Sequence, residues 1–144
     1  NLKVCRQLLT EYNVSLVVGF SWGGAVAAEI LAAVGSTGIP DPPSTFLLLA
    51  PTTAVVAKLN VWQPQDAAWR ITSSNTIVAV VHATMDSVFC PHPERWNRSN
   101  RPDDTNNIEF TLLRDNHVLL RSASERRVKD IVTRLVGQRQ QQSR

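Results

Sequence analysis

The chain has 144 residues, the length of one ordinary domain, and 43% of them are apolar, enough for a real core and too many for wholesale disorder. No apolar run reaches the roughly 20 residues that a bilayer span requires, and the most apolar stretch, 24–34, is rich in small residues and carries Glu29. The net charge of +3 is concentrated at one end, with seven cations and two anions in residues 121–144 against eight cations and ten anions before them, so the basic character belongs to a terminal helix and tail and a nucleic-acid partner is not expected.

In chain order, Leu2, Cys5, Leu8, Leu9 and Tyr12 recur at helical spacing until Asn13 breaks the pattern. Residues 14–20 (VSLVVGF) are short, β-branched and nearly all apolar, as expected of a strand buried on both faces. Residues 22–34 form an Ala-rich, almost charge-free helix that stops at Gly35. Three prolines and two glycines make 35–44 a loop, and 45–50 (TFLLLA) is a second apolar strand. Residues 51–75, with Trp62 and Trp69, leave room for one helix and loops.

A third buried strand occupies 76–81 (TIVAVV), and 92–107 is charged and irregular. A fourth, more polar strand covers 108–113, as an edge strand would. Ser122-Ala123-Ser124-Glu125 resembles a capping box that opens a final helix with Val128, Ile131, Val132 and Leu135 on one face. The polar segment 137–144 is expected to be a disordered tail. Buried strands alternating with helices predict an α/β fold, a parallel sheet flanked by helices.

One motif carries chemistry. Gly19-Phe20-Ser21-Trp22-Gly23 is G-x-S-x-G, followed by Gly24, and it falls where a buried strand ends and a small-residue helix begins. So sharp a turn strains the serine backbone, and glycine at 19 and 23 avoids a Cβ clash. It also lifts the hydroxyl clear of the sheet at a helix N-terminus, where the Trp22 N–H can donate to a developing oxyanion.

A serine hydroxyl needs a base, and the base needs an orienting carboxylate. Both belong after later strands, acid before histidine. Asp86 lies five residues beyond the third strand, and His117 follows the fourth within Asp115-Asn116-His117. The missing members therefore occur in order, at the sheet edge where the chemistry requires them.

With these residues in place, the chain resembles the C-terminal portion of an α/β-hydrolase of the serine esterase or thioesterase kind. The GFSWGG elbow, the TFLLLAP segment, the HATMDSVFCP acid loop, the DNH histidine loop and the closing helix follow in that order, over residues 2–136. The resemblance implies Ser21 as nucleophile, His117 as general base, Asp86 as orienting acid and the Trp22 N–H as one oxyanion donor. It implies cleavage of ester or thioester bonds through an acyl-enzyme, without a cofactor, on a small or acyl-carrying substrate.

Two departures from the family pattern stand out. Ala83 occupies a position often held by glycine in the acid loop. Only one helix precedes the elbow strand, so the strands and the His-Gly loop that usually supply a second oxyanion donor are not represented. A partial hydrolase domain over 1–136 with about four strands is expected. A partner or a missing N-terminal half would then cover the elbow-strand edge. A catalytically weak, hydrolase-like binding module is the alternative that these departures leave open.

Rival assignments are weaker. Asp115, two residues from His117, would have to fold back to serve as the acid, Asp103 and Asp104 lie in a polar loop, and His82 suits hydrogen-bonded packing at a strand end. Cys90 and His92 supply too few ligands for a metal, and none is expected. Two cysteines, Cys5 and Cys90, make no disulfide framework, which suits a cytoplasmic protein.

Overall fold

Strand β2 (Thr45–Leu49) and strand β3 (Ile77–Ala83) are apolar at nearly every position, so they require cover on both faces, and both receive it. The computed structural model describes residues 2–33, 43–52, 76–86, 89 and 108–142. Within them the element order is helix α1 (Leu2–Glu11), strand β1 (Leu16–Phe20), helix α2 (Trp22–Ala33), β2, β3, strand β4 (Ile108–Leu113) and helix α3 (Ser122–Gln142).

The four strands make one parallel sheet in the order β1-β2-β3-β4. Register sets Phe20 beside Leu49, Leu49 beside Val81, and Ala83 beside Leu113. The carboxyl ends of all four strands therefore share one edge. This is the α/β architecture expected from the alternation of elements.

Alternate side chains go to opposite faces, and each face has its own core. Phe46, Leu48, Val78 and Val80 pack with Leu9 of α1 and with Ala27, Ala28, Ile30 and Leu31 of α2. Leu47, Ala79, Val81 and Ala83 pack on the other side with Leu119 and with Ile131 and Leu135 of α3. Fully burying a residue such as Phe46 or Leu47 contributes about 1.5–3 kcal/mol, so β2 anchors both layers. Small residues on α2 let it lie close to the sheet.

Several boundaries differ from the sequence reading. Strand β1 is not buried on both faces: Val18 is 51% exposed and Phe20 is also exposed, because β1 is an edge strand that pairs with β2 alone among the described residues. Strand β3 runs two residues beyond Val81, carrying His82 and Ala83 into the ladder with β4. Helix α3 continues through Gly137 to Gln142, since Gln and Arg are good helix formers and one glycine costs only about 1 kcal/mol. The helix expected within 51–75, the loop 92–107 and Trp62, Trp69, Trp96, Cys90, His92, Asp103 and Asp104 lie outside the described residues.

Candidate active site

Strand β1 ends at Phe20 and α2 begins at Trp22, so Ser21 alone makes the turn, with φ at 53°. A non-glycine residue in that left-handed region costs on the order of 1–3 kcal/mol and needs surrounding structure to hold it. The Ser21 N–H donates to Leu49 O at 2.9 Å. Its carbonyl accepts the N–H groups of Gly24 (3.0 Å), Thr52 (3.2 Å) and Ala25 (3.3 Å). Strand β2, the segment after it and the first turn of α2 thus fix the serine backbone. Ser21 stands at the N-terminus of α2, whose first residue is Trp22.

The glycines around the turn are not equivalent. A Cβ on Gly19 would stand 2.4 Å from the Gly23 carbonyl oxygen, and one on Gly24 would meet Pro51 at 3.0 Å. A Cβ on Gly23 would meet nothing within 4 Å. The clash expected at Gly19 and Gly23 is therefore real at Gly19, absent at Gly23 and moderate at Gly24. The helix passes closest to the strand at Gly19 and turns Gly23 outward.

Three sequence-distant side chains meet above the sheet edge. His117 Nε2 lies 2.7 Å from Ser21 Oγ, and His117 Nδ1 is hydrogen-bonded to Asp86 Oδ2. With Nδ1–H donating to the carboxylate, Nε2 is the acceptor for the serine hydroxyl. The extension of β3 puts Asp86 three residues past the strand, in a turn closed by its own N–H to Ala83 O at 3.2 Å. Its second oxygen accepts the Phe89 N–H at 3.0 Å.

The Asp86 side chain is almost fully buried and that of His117 is 20% exposed. The rings of Phe89 and Phe20 stand 4.9 Å and 5.7 Å from the imidazole, centroid to centroid. Contact at these distances limits the rotation of the imidazole. Phe89 is not among the sequence-predicted site residues. Its one signal is an aromatic side chain three positions beyond the candidate acid.

The carboxylate of Asp115, the rival acid, finds its partners elsewhere than on the imidazole. One of its oxygens accepts the Asn116 N–H at 2.8 Å and the other the Arg121 N–H at 3.0 Å, and the Arg121 Nε lies 3.7 Å away. Burial alone would raise this carboxyl. Hydrogen bonds from Ser124 and from the Arg121 and Asn116 backbone, with the Arg121 charge, outweigh it and hold Asp115 below the usual carboxylate range. The capping expected from Ser122 and Glu125 is accordingly replaced by Asp115, which takes the Arg121 N–H at the start of α3 and the Ser124 side chain in its first turn.

His82, 1% exposed within β3, has its pKa pushed down to about 4 by burial, with the Asp86 charge acting the other way. Among the described residues no three His, Cys, Asp or Glu side chains gather as a metal site. No helix among them is long and apolar enough to cross a membrane.

The chain is similar in three dimensions to a monoacylglycerol lipase from Paleococcus ferrophilus, with a TM-score of 0.69, 13% identity and coverage of 94% of this chain and 74% of the lipase. It is similar also to the esterase domain of a Rhodothermus marinus protein, with a TM-score of 0.64, 17% identity and coverage of 92% of this chain and 66% of that one. The chain thus spans 74% of the length of the first of these structures and 66%, just under two thirds, of the second. Its fold is that of the α/β-hydrolases. No protein-family model matches the sequence, and no curated protein matches it.

Proposed function

We propose that this protein is a serine hydrolase that cleaves carboxylic ester or thioester bonds through an acyl-enzyme. One observation carries the reading: a single imidazole bridges Ser21 Oγ at 2.7 Å and the buried carboxylate of Asp86. Similarity in fold to a lipase and an esterase domain supports it. Such a bridge makes Ser21 a nucleophile at neutral pH, where a lone serine hydroxyl is not one.

In the first half-reaction Ser21 Oγ bonds to the substrate carbonyl carbon while His117 Nε2 takes the hydroxyl proton. Asp86, on Nδ1–H, stabilises the imidazolium. The carbonyl oxygen becomes an oxyanion within reach of the Trp22 N–H at the end of α2. When the tetrahedral species collapses, the bond to the leaving alcohol or thiol breaks, and the imidazolium proton goes to that group. Water then attacks the acyl-Ser21 ester, with His117 again as base, and the acid is released with free serine. Phe20 and Trp22, both exposed, flank Ser21 in the chain, and the exposed Phe89 lies against the His117 ring, an open apolar rim for a small acyl group or one carried on a larger partner.

Labelling with a fluorophosphonate, together with turnover of p-nitrophenyl acetate, tests the reading. The intact protein is expected to label and turn over. Ser21→Ala is expected to lose labelling, and Ser21→Ala and His117→Ala each to lose about 10⁴-fold or more in kcat. Equal labelling of Ser21→Ala, or unchanged turnover in His117→Ala, would overturn the assignments. A folded intact chain that neither labels nor turns over would instead be a hydrolase-like binding module.

A further inference from the structure

We infer that Asp115 is a positioning residue that clamps the loop of His117 and the turn of Asp86 into one register. The inference rests on the hydrolase reading for its catalytic consequence, and on geometry alone for the clamp. The segment 115–121 begins and ends on one carboxylate, which accepts the Asn116 N–H at 2.8 Å and the Arg121 N–H at 3.0 Å. Ser124 ties the same carboxylate to the first turn of α3. The loop bearing the imidazole is thereby closed into a ring and docked on a helix.

The same residue reaches the acid turn. The Asp115 carbonyl accepts the Met85 N–H at 3.0 Å, one residue from Asp86, and the Leu113 carbonyl accepts Thr84 N–H and Asp115 N–H, each at 2.8 Å. Asp86 and His117 come from the ends of different strands, so their contact depends on the register between the turn and the loop. Asp115 is bonded to both. Inside the ring Leu119 is held at φ 55°, a conformation that persists only where the surroundings enforce it. The Leu119 N–H to Asn116 O bond at 3.2 Å and the Val118 N–H to Asn116 Oδ1 bond at 3.2 Å complete the ring.

With its oxygens engaged on the loop and helix, the Asp115 carboxylate does not touch the reacting atoms. Its effect passes through His117. Asp115→Asn keeps the shape but sets an amide NH₂ against one of the N–H groups it must accept, opening the ring at one end. A catalytic group misplaced by 1 Å costs about 10²-fold in rate. The expected loss in kcat is accordingly about 10- to 100-fold, with KM within about twofold.

The experiment measures kcat and KM for p-nitrophenyl acetate, together with the NMR signal of the His117 Nδ1–H proton in the same folded variant. That signal is expected to broaden or vanish in Asp115→Asn as the imidazole loosens. Unchanged kcat with an undisturbed His117 signal would overturn the clamp, and so would a fall in kcat that leaves the signal undisturbed. If the intact chain shows no turnover, the hydrolase reading fails while the NMR signal still decides the clamp. Should Asp115→Asn not fold, Ser124→Ala removes one anchor and carries the test, with an expected loss of about 3- to 10-fold in kcat at constant KM and a broadened His117 signal. No change in either readout there overturns the proposal.

Discussion

Gly19 and Gly23 flank the same serine and match the same motif, yet only Gly19 is confined by backbone, with its would-be Cβ at 2.4 Å from the Gly23 carbonyl oxygen. Gly19→Ala must push α2 away from β1 and is expected to cost about 1–3 kcal/mol, as overpacking does. Gly23→Ala meets open space in a helix and is expected to be neutral or to stabilise by up to about 1 kcal/mol. Urea unfolding of the two variants checks both, and equal losses would show that the turn tolerates no Cβ at either position. The motif made the turn legible and left the division of labour between its glycines hidden, because that depends on the angle at which α2 leaves the strand. That Ser21, Asp86 and His117 would meet was legible for a different reason: a parallel sheet gathers its strand ends at one edge, so order along the chain becomes proximity in space. The bonds of Asp115 to Arg121, Ser124 and Met85 left no such trace, since they depend on the path of a loop and not on periodicity.

At the scale of elements, the same apolar composition leads to different fates. Strands β2 and β3 are buried because each has a strand on both sides and helices above and below. Strand β1, equally apolar, stands at the edge of the described sheet and leaves Val18 half-exposed. Composition marks a segment as able to be buried, while its neighbours decide whether it is. The more polar β4 does stand at the other edge of the described sheet, and its Glu109 pairs with Arg134 of α3. Apolar edge strands template association with other chains, and an edge lysine suppresses it. Val18→Lys is therefore expected to reduce concentration-dependent association, read by light scattering, while changing stability by no more than about 0.5 kcal/mol, as exposed positions do. Unchanged scattering would mean that the β1 edge is not an association surface.

Over the whole molecule, both layers of core meet on β3, and His82 sits within that strand beside Leu112 of β4. Burial makes its charged form costly, which places its pKa at about 4 in the folded protein against an ordinary 6.5. The unfolded chain therefore binds this proton first as the pH falls, and stability declines between pH 6.5 and 4. At about 1.4 kcal/mol for each pH unit, His82 removes roughly 3 kcal/mol across that window, a large share of a typical domain's total. Asp115 acts lower: its carboxyl is held below the ordinary 3.8, so its stabilisation is complete above that value and disappears as the pH falls past it. Glu29 works in the opposite sense, because burial raises its carboxyl against the lowering pull of Arg6. These contributions separate by substitution. His82→Gln removes the titrating group and keeps a polar side chain of similar reach, so the difference in unfolding free energy between the two proteins isolates the histidine. Measured by urea unfolding from pH 7 to 4, the intact protein is expected to lose about 3 kcal/mol more than His82→Gln, nearly all of it below pH 6.5. Parallel curves would mean that His82 reaches water in the folded state, and the tightness of packing between β3 and β4 would have to be given up with it.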